Sequence, residues 1–498
     1  MMLDLSTELT VAFVTMIACF VCVQSALTIF EVRSAERAAV AVPAAFRTYV
    51  TLAEHRKAID YSGEVIQADF ISAIVATGIA LLLTLGGGLT FLLAVIGTIW
   101  GHGIAAQCVL ITAVSCLLAL TDFPLAWWKE FRINERYGFE KTPSSSWIRE
   151  QFKETLVGWL VQLPVLFGFL FVLNSCSYLW WLCAMTLTLG WFYWRIIIGP
   201  NWVVGFSASA TPMPEGTVKS RLQALLAEQY WDEDIPIYHM PRPKNWKHGH
   251  ALFARRLFHK RLVVFDHVLD NLNEDEVAAM AACAIARAAR WHNAARLIFF
   301  CAITIGFWYA LSLLSEQRFF YESLHIRADL ALAGGSVNPA LIVILAFTLV
   351  PIVLYPFVFV IHAFTRMLDF DEDAYAVRHV GLKPFIRAIV KLHRDYRTTL
   401  TPNRFYSLAN HRRPHVTLRI QSAMVLAQED KIRERRQLAE NRKIHLKFEE
   451  RQLALQHMTQ DNLIATRKRH ALRRQREMQN LHNHLRSPLH GSQHTTDL

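Results

Sequence analysis

The chain has 498 residues, 53% of them apolar, and a mean hydropathy of +0.23. That is more apolar than a soluble multidomain protein usually is, and it excludes a disordered chain or a small disulfide-stapled scaffold. Its formal charge of +11 is concentrated near the C-terminus, so it says little about the body of the protein.

Seven nearly uncharged runs are long enough to cross a hydrocarbon core of about 30 Å, which takes roughly 20 helical residues. They are Thr10–Phe30, Ala68–Trp100, Ile104–Trp128, Leu156–Leu173, Tyr178–Ile198, Leu297–Leu314 and Pro339–Phe364. The first follows an acidic start with no basic region and no small-residue cleavage site, so a retained span is expected rather than a cleaved signal peptide. Loop charge sets the orientation. Lys129–Lys153 carries six Lys or Arg, whereas the connections at Gly101–Gly103 and Asn174–Ser177 carry none. The positive-inside rule then places Glu31–Gln67, Lys129–Lys153, Pro200–Arg296 and the tail in the cytosol, and the N-terminus in the lumen. Seven of the eight cysteines (Cys19, Cys22, Cys108, Cys116, Cys176, Cys183, Cys301) lie in or beside these runs. They read as packing thiols, not as a disulfide framework or a metal knuckle.

Residues 1–199 thus form an N-terminal membrane domain of five spans, followed by a soluble insert over 200–296 and spans six and seven over 297–364. Within the insert, Thr217–Gln229 reads as a helix, Ile235–His239 as an extended run and Pro241–His250 as a basic loop. Arg261–Phe265 (RLVVF) has the β-branched composition of a buried strand. Asn273 with Glu274, Asp275 and Glu276 makes a cap and acidic first turn for an Ala-rich helix. After the last span, residues 365–428 hold two further helices, Leu368–His379 and Gly381–Tyr396. Lys431–Arg476 has fourteen Lys or Arg against five acids and no Gly or Pro, so 429–484 is expected to be a solvated basic helix. Residues 485–498 have the composition of a disordered tail.

Four patches in order, and with matching spacing, resemble the seven-span CAAX prenyl protease 1 family of zinc metalloproteases. Phe30-Glu31 with Arg37 and Pro43 is similar to F-E-x-x-L-x-x-R-Q…P, and Phe131–Thr142 to F-x-I-E-x-x-x-G-F-N-x-x-T. Thr211–Gly216 resembles T-P-L-x-E-G, and Lys260–Leu269 resembles K-R-I-V-x-F-D-T-L-L. The resemblance implies an all-α integral membrane fold. Seven transmembrane helices would surround an intramembrane chamber, with a small zincin-like α+β insert and C-terminal zincin-like helices.

At the family's catalytic positions the chain departs from the pattern. The H-E-x-x-H helix, two imidazoles on one face holding zinc with a glutamate to deprotonate its water, has Cys283, Ala284 and Arg287 at those three positions. The third ligand position, the Glu of E-x-x-A-D, is Asp369 in Asp369-Phe370-Asp371-Glu372-Asp373, with Asp373 matching the last residue. The oxyanion His of S-H-P is Arg413, while Arg419 and His292 match family residues. The substrate-pairing segment H-x-N-A-Y-F survives only partly around His250, Ala251 and Leu252. A guanidinium offers no lone pair to a metal, so no zinc and no other cofactor is expected, and an Arg287–Asp369 ion pair is expected in the metal's place. A remnant Cys283/His292/Asp369 metal set is the alternative.

The resemblance therefore implies a catalytically inactive homologue, not an enzyme, acting as a binding or scaffold protein in the bilayer. Two alternatives stand beside it: an active zinc metalloendopeptidase with an unconventional site, and a structural subunit of a membrane complex. Expected partners are lipid, a prenylated or membrane protein client, and a protein bound by the basic C-terminal helix. That helix has Phe448 as its lone aromatic over Lys431–Arg476, which argues against nucleic acid. The family precedent is the endoplasmic reticulum membrane with a cytosolic C-terminus; a mitochondrial membrane is the other location left open.

Overall fold

A backbone inside a bilayer has no water to bond to, so the apolar runs satisfy their own amides as long helices. In the computed structural model they are Met2–Ala38, Leu52–Leu83, Ile104–Trp128, Ser144–Ser175, Trp180–Tyr193, His292–Ser315 and the pair Pro339–Val353 and Tyr355–His379. The structure describes residues 2–137, 143–176, 179–195, 210–229, 235–241, 251–256, 259–332, 337–394 and 399–486. It divides into two units, 1–425 and 426–498.

Among the described residues, five helices are long and apolar enough to cross a membrane, or six if the last pair, bent by 73°, counts as one span. The seven-span count is approximate. The expected second span, Ala68–Trp100, is in fact two helices, Leu52–Leu83 and Gly88–Trp100. The break lies at a Gly-rich turn. Gly87 has φ +74°, and a Cβ at Gly86 would sit 2.7 Å from the Leu82 carbonyl oxygen. Neighbouring helices pack in the order Met2–Ala38, Leu52–Leu83, Ile104–Trp128, Ser144–Ser175, Trp180–Tyr193 and His292–Ser315, and Arg318–Ser323 touches both ends of that series. Pro339–Val353 packs on the first four of these, and its Ala340, Leu341 and Ile342 are fully buried in the bundle core.

Two expectations need correction. Cys176 and Cys183, read as packing thiols, are paired as a disulfide between the end of one apolar helix and the start of the next. Leu368–His379 is no separate helix. It continues from Tyr355, because the chain turns earlier, at Leu354, after Pro351. The carboxylates from Asp369 to Asp373 therefore ride on the same rod that leaves the apolar bundle.

The insert holds a four-stranded sheet in the order β1 (Thr211–Pro212), β2 (Ile237–Met240), β4 (His259–Phe265), β3 (Ala251–Arg256). Strand β2 runs parallel to β4, and β3 antiparallel to it. Leu262 to Phe265 are fully buried, which is why that stretch is uniformly apolar rather than alternating. Beyond Leu426 the continuous helix Val416–Arg486 forms the second unit, and its described side chains from Lys431 to Asn483 are all exposed. Residues 487–498, the core of the expected disordered tail, lie outside the described residues.

Candidate functional site

The altered motif sits on the helix Glu274–Ala289, where every residue from Glu276 to Ala286 is buried. Its run of alanines lets neighbours approach closely. Thr217–Gln229, Tyr355–His379, Leu382–Arg394 and strands β3 and β4 all pack on it. The Glu276 carboxylate accepts from the Asn273 amide at 3.0 Å and from Lys391 at 2.6 Å, which secures the helix start. At the other end Trp291 takes a left-handed conformation, φ 58°. The next helix starts at this turn, and its His292 and Arg296 meet the same Glu372 carboxylate as Arg287.

Those carboxylates and guanidiniums form a closed network. Arg287 grips Glu372 with two hydrogen bonds, Nε to Oε1 at 3.0 Å and Nη2 to Oε2 at 2.6 Å. Arg296 reaches Asp369 at 2.7 Å and Glu372 at 3.1 Å. His292 lies between Glu372 (Nδ1, 3.2 Å) and Asp371 (Nε2, 3.0 Å), and Asp371 also pairs with Arg290. Asp373 is held by Arg419 through Nε at 2.8 Å and Nη2 at 2.6 Å. Cys283 Sγ, 3.8 Å from Asp373 Oδ1, touches the edge of this last pair. Two planar forks on two carboxylates give charge-assisted bonds with little freedom to slip.

The structure brings together Cys283, Ala284, Arg287, His292, Asp369, Asp373 and Arg419, but not with the expected partners. Arg287 bonds to Glu372, and Asp369 to Arg296. Glu372 was missed in the sequence, although it lies inside the run Asp369–Asp373. An extra acid in that run, together with an arginine on the buried Ala-rich helix, was the available signal. Arg413 lies on the loop after Asn410, its carbonyl 3.5 Å from Arg366 Nη2. Ala251 and Leu252 lie on β3 opposite Val264 and Val263, beside the motif helix, whereas His250 falls outside the described residues.

Electrostatics fix the protonation states. Burial, then the Asp373 carboxylate, push the Cys283 thiol well above its ordinary value, so it stays neutral. Burial pulls the Arg287 pKa down, but Glu372 more than reverses this, and the guanidinium stays charged. Zinc needs three or four donors with free lone pairs aimed at one point. Here each carboxylate is committed to a guanidinium, the thiol is protonated, and the Arg287 guanidinium lies among them with no lone pair to offer. Among the described residues no group of three His, Cys, Asp or Glu is arranged to hold an ion. The residues present do not fit zinc.

A bundle of apolar helices, with a small four-stranded sheet packed on a buried helix that meets a polar cluster, defines a polytopic, mostly helical membrane protein. Residues 31–204 match the family described as CAAX prenyl protease N-terminal, five membrane helices. CAAX prenyl protease 1 of Saccharomyces cerevisiae is 23% identical over 318 residues, covering 62% of this chain and 69% of that protein. The Arabidopsis thaliana homologue is 23% identical over 313 residues, 61% and 70% of the two chains. The crystal structure of S. mikatae Ste24p superposes with a TM-score of 0.68 at 18% identity, covering 83% of this chain and 99% of that one. This chain is a multi-pass membrane protein that resembles the CAAX prenyl proteases in sequence and shares the fold of Ste24p. The expectation that it is not an enzyme is corrected by these matches, because the relatives it resembles are named as proteases.

Proposed function

We propose that this protein binds a prenylated or membrane-anchored client within the endoplasmic reticulum membrane, with its C-terminus cytosolic, and that an arginine–carboxylate network stands in the metal's place. The single observation that supports this reading most is the reciprocal exchange of Arg287 and Glu372. One substitution puts a cation where the family has a ligand, and the other puts an acid where it has alanine, 2.6 Å away. In this reading the network does mechanically what a bound ion does. It ties the motif helix to the rod Tyr355–His379 and holds the base of the bundle in one arrangement. The scaffold for holding a client is then kept, and the polar groups facing it are changed.

A protease with an unconventional zinc site, with Cys283, His292 and Asp369 as its candidate ligands, is the second reading and takes the same client. The experiment measures metal content of the detergent-solubilised full chain beside an active family member, together with cleavage of a farnesylated peptide and photocapture of a non-cleavable farnesyl analogue. Photocapture with sub-stoichiometric zinc is expected. One zinc per chain with chelator-sensitive cleavage would overturn the network reading, and absent photocapture would overturn the client.

A further inference from the structure

Away from the arginine network, the four-stranded sheet carries a second arrangement of polar side chains. Asp266, His239 and Thr211 form a hydrogen-bonded row. Asp266 Oδ1 lies 2.8 Å from His239 Nδ1, and His239 Nε2 lies 2.9 Å from Thr211 Oγ1. The three come from separate parts of the insert, and the sheet brings them together. Thr211 on β1 is the antiparallel partner of His239 on β2, so their side chains stand on one face of the sheet. His239 is level with Val264 on β4, and Asp266 follows two residues on, just past the end of that strand. Val263, Val264 and Phe265 are fully buried, which fixes the backbone from which Asp266 projects.

The order of the groups decides what the row does. An ionised carboxylate only accepts hydrogen bonds, so in the neutral ring the imidazole proton sits on Nδ1. The Nε2 lone pair then faces Thr211, and the hydroxyl is the donor. A hydroxyl set against an imidazole that a carboxylate orients is the arrangement that activates oxygen nucleophiles. Both distances fall within the range of about 2.6–3.2 Å that proton transfer needs. In the network each acid meets an arginine, which keeps its proton. Asp266 instead meets an imidazole, which takes a proton and returns it.

The row is also open to solvent. Strand β1 is an edge of the sheet, Thr211 is exposed, and the His239 and Asp266 side chains keep 30% and 39% of their surface. Water reaches all three groups, so burial does not force them to bond to one another.

We propose that Thr211 is a nucleophile for acyl transfer, with His239 as its general base and Asp266 as the residue that positions His239. Thr211 Oγ1 attacks the carbonyl carbon of an acyl thioester while its proton passes to His239 Nε2. The carbon–sulfur bond breaks, and the leaving thiolate takes that proton from the ring. The products are a threonine ester and a free thiol. A thioester is the class that fits an exposed hydroxyl, which has to take its acyl group from a donor already activated, and a thiolate leaves more readily than an alkoxide. The inference stands apart from the client-binding reading, since none of the three residues belongs to the network.

The test incubates the full solubilised chain with phenyl thioacetate, following thiol release and locating acetyl groups by peptide mass spectrometry. Acetylation concentrated at Thr211 is expected, kept by Thr211→Ser and removed by Thr211→Val. His239→Ala should slow it by about 10²–10⁴, the usual contribution of a general base. Added imidazole should restore part of that rate, a readout that a merely structural histidine would not move. Asp266→Asn should slow acetylation and Asp266→Glu recover part of it, with thermal unfolding showing each variant folded. Acetylation at Thr211 that His239→Ala leaves unchanged would overturn the proposal, as would a loss in the folded variant that imidazole does not rescue. Acetyl groups on lysines with none at Thr211 would overturn it as well. None of these results bears on photocapture of the client.

Discussion

At the residue scale the network carries the most energy. Glu372 is 3% exposed and faces Arg287, Arg296 and His292 at once. Removing it leaves the Arg287 guanidinium without its paired carboxylate, while Arg296 keeps Asp369, so Glu372→Ala should cost about 3–5 kcal/mol in thermal or denaturant unfolding. The double variant Arg287→Met, Glu372→Leu should recover much of that loss, because two apolar side chains need neither charge nor partner. A double variant no more stable than Glu372→Ala would show that the pair contributes little. Cys283 makes a separate, pH-dependent prediction. Its folded pKa is raised, so its proton is held more tightly in the native state than in the unfolded one. Native stability should therefore be undiminished by this group below the unfolded value of about 8.5, and should fall above it by up to about 1.4 kcal/mol per pH unit. Cys283→Ala should flatten that alkaline decline, and an unchanged slope would remove Cys283 as its cause.

Among the elements, the break after Leu83 is the clearest case of local chemistry deciding topology. Helical hydropathy continues through Ala68–Trp100, yet Thr84 turns its hydroxyl back to the Ala80 carbonyl and the next residues form a glycine turn. Gly87→Ala should cost about 1–2 kcal/mol for the left-handed backbone alone. Gly86→Ala should cost more, since its Cβ meets backbone 2.7 Å away rather than a movable side chain. Unfolding of the two variants in one detergent orders them, and the reverse order would place the strain at Gly87. The motif helix teaches the opposite lesson. Its Ala-rich face and its Asn273 start are plain in the residues, because capping and small-residue packing are local properties.

For the whole molecule, the two units invite separate tests. The helix beyond Lys431 buries none of its described side chains, so a chain ended near residue 430 should unfold within about 0.5 kcal/mol of the full protein, as surface changes do. Cysteine labelling should reach residues near Ser144 from the cytosolic side and near Glu322 from the lumenal side; the reverse pattern would invert the orientation. The sequence by itself determined the membrane class, the apolar helices, the strand Arg261–Phe265 and the exposed basic helix, since each follows from periodicity, composition or charge within one stretch of chain. It also marked Cys283, Ala284, Arg287, Asp369 and Arg413 as positions that depart from the resembled pattern. Only the tertiary structure decided which acid each arginine holds. The pairing of Arg287 with Glu372 depends on how the Leu354 bend aims one rod and on the turn at Trp291 that swings Arg296 onto Asp369. Ion pairing acts through space over about 3 Å, and residues 85 positions apart have no local signal that they will meet.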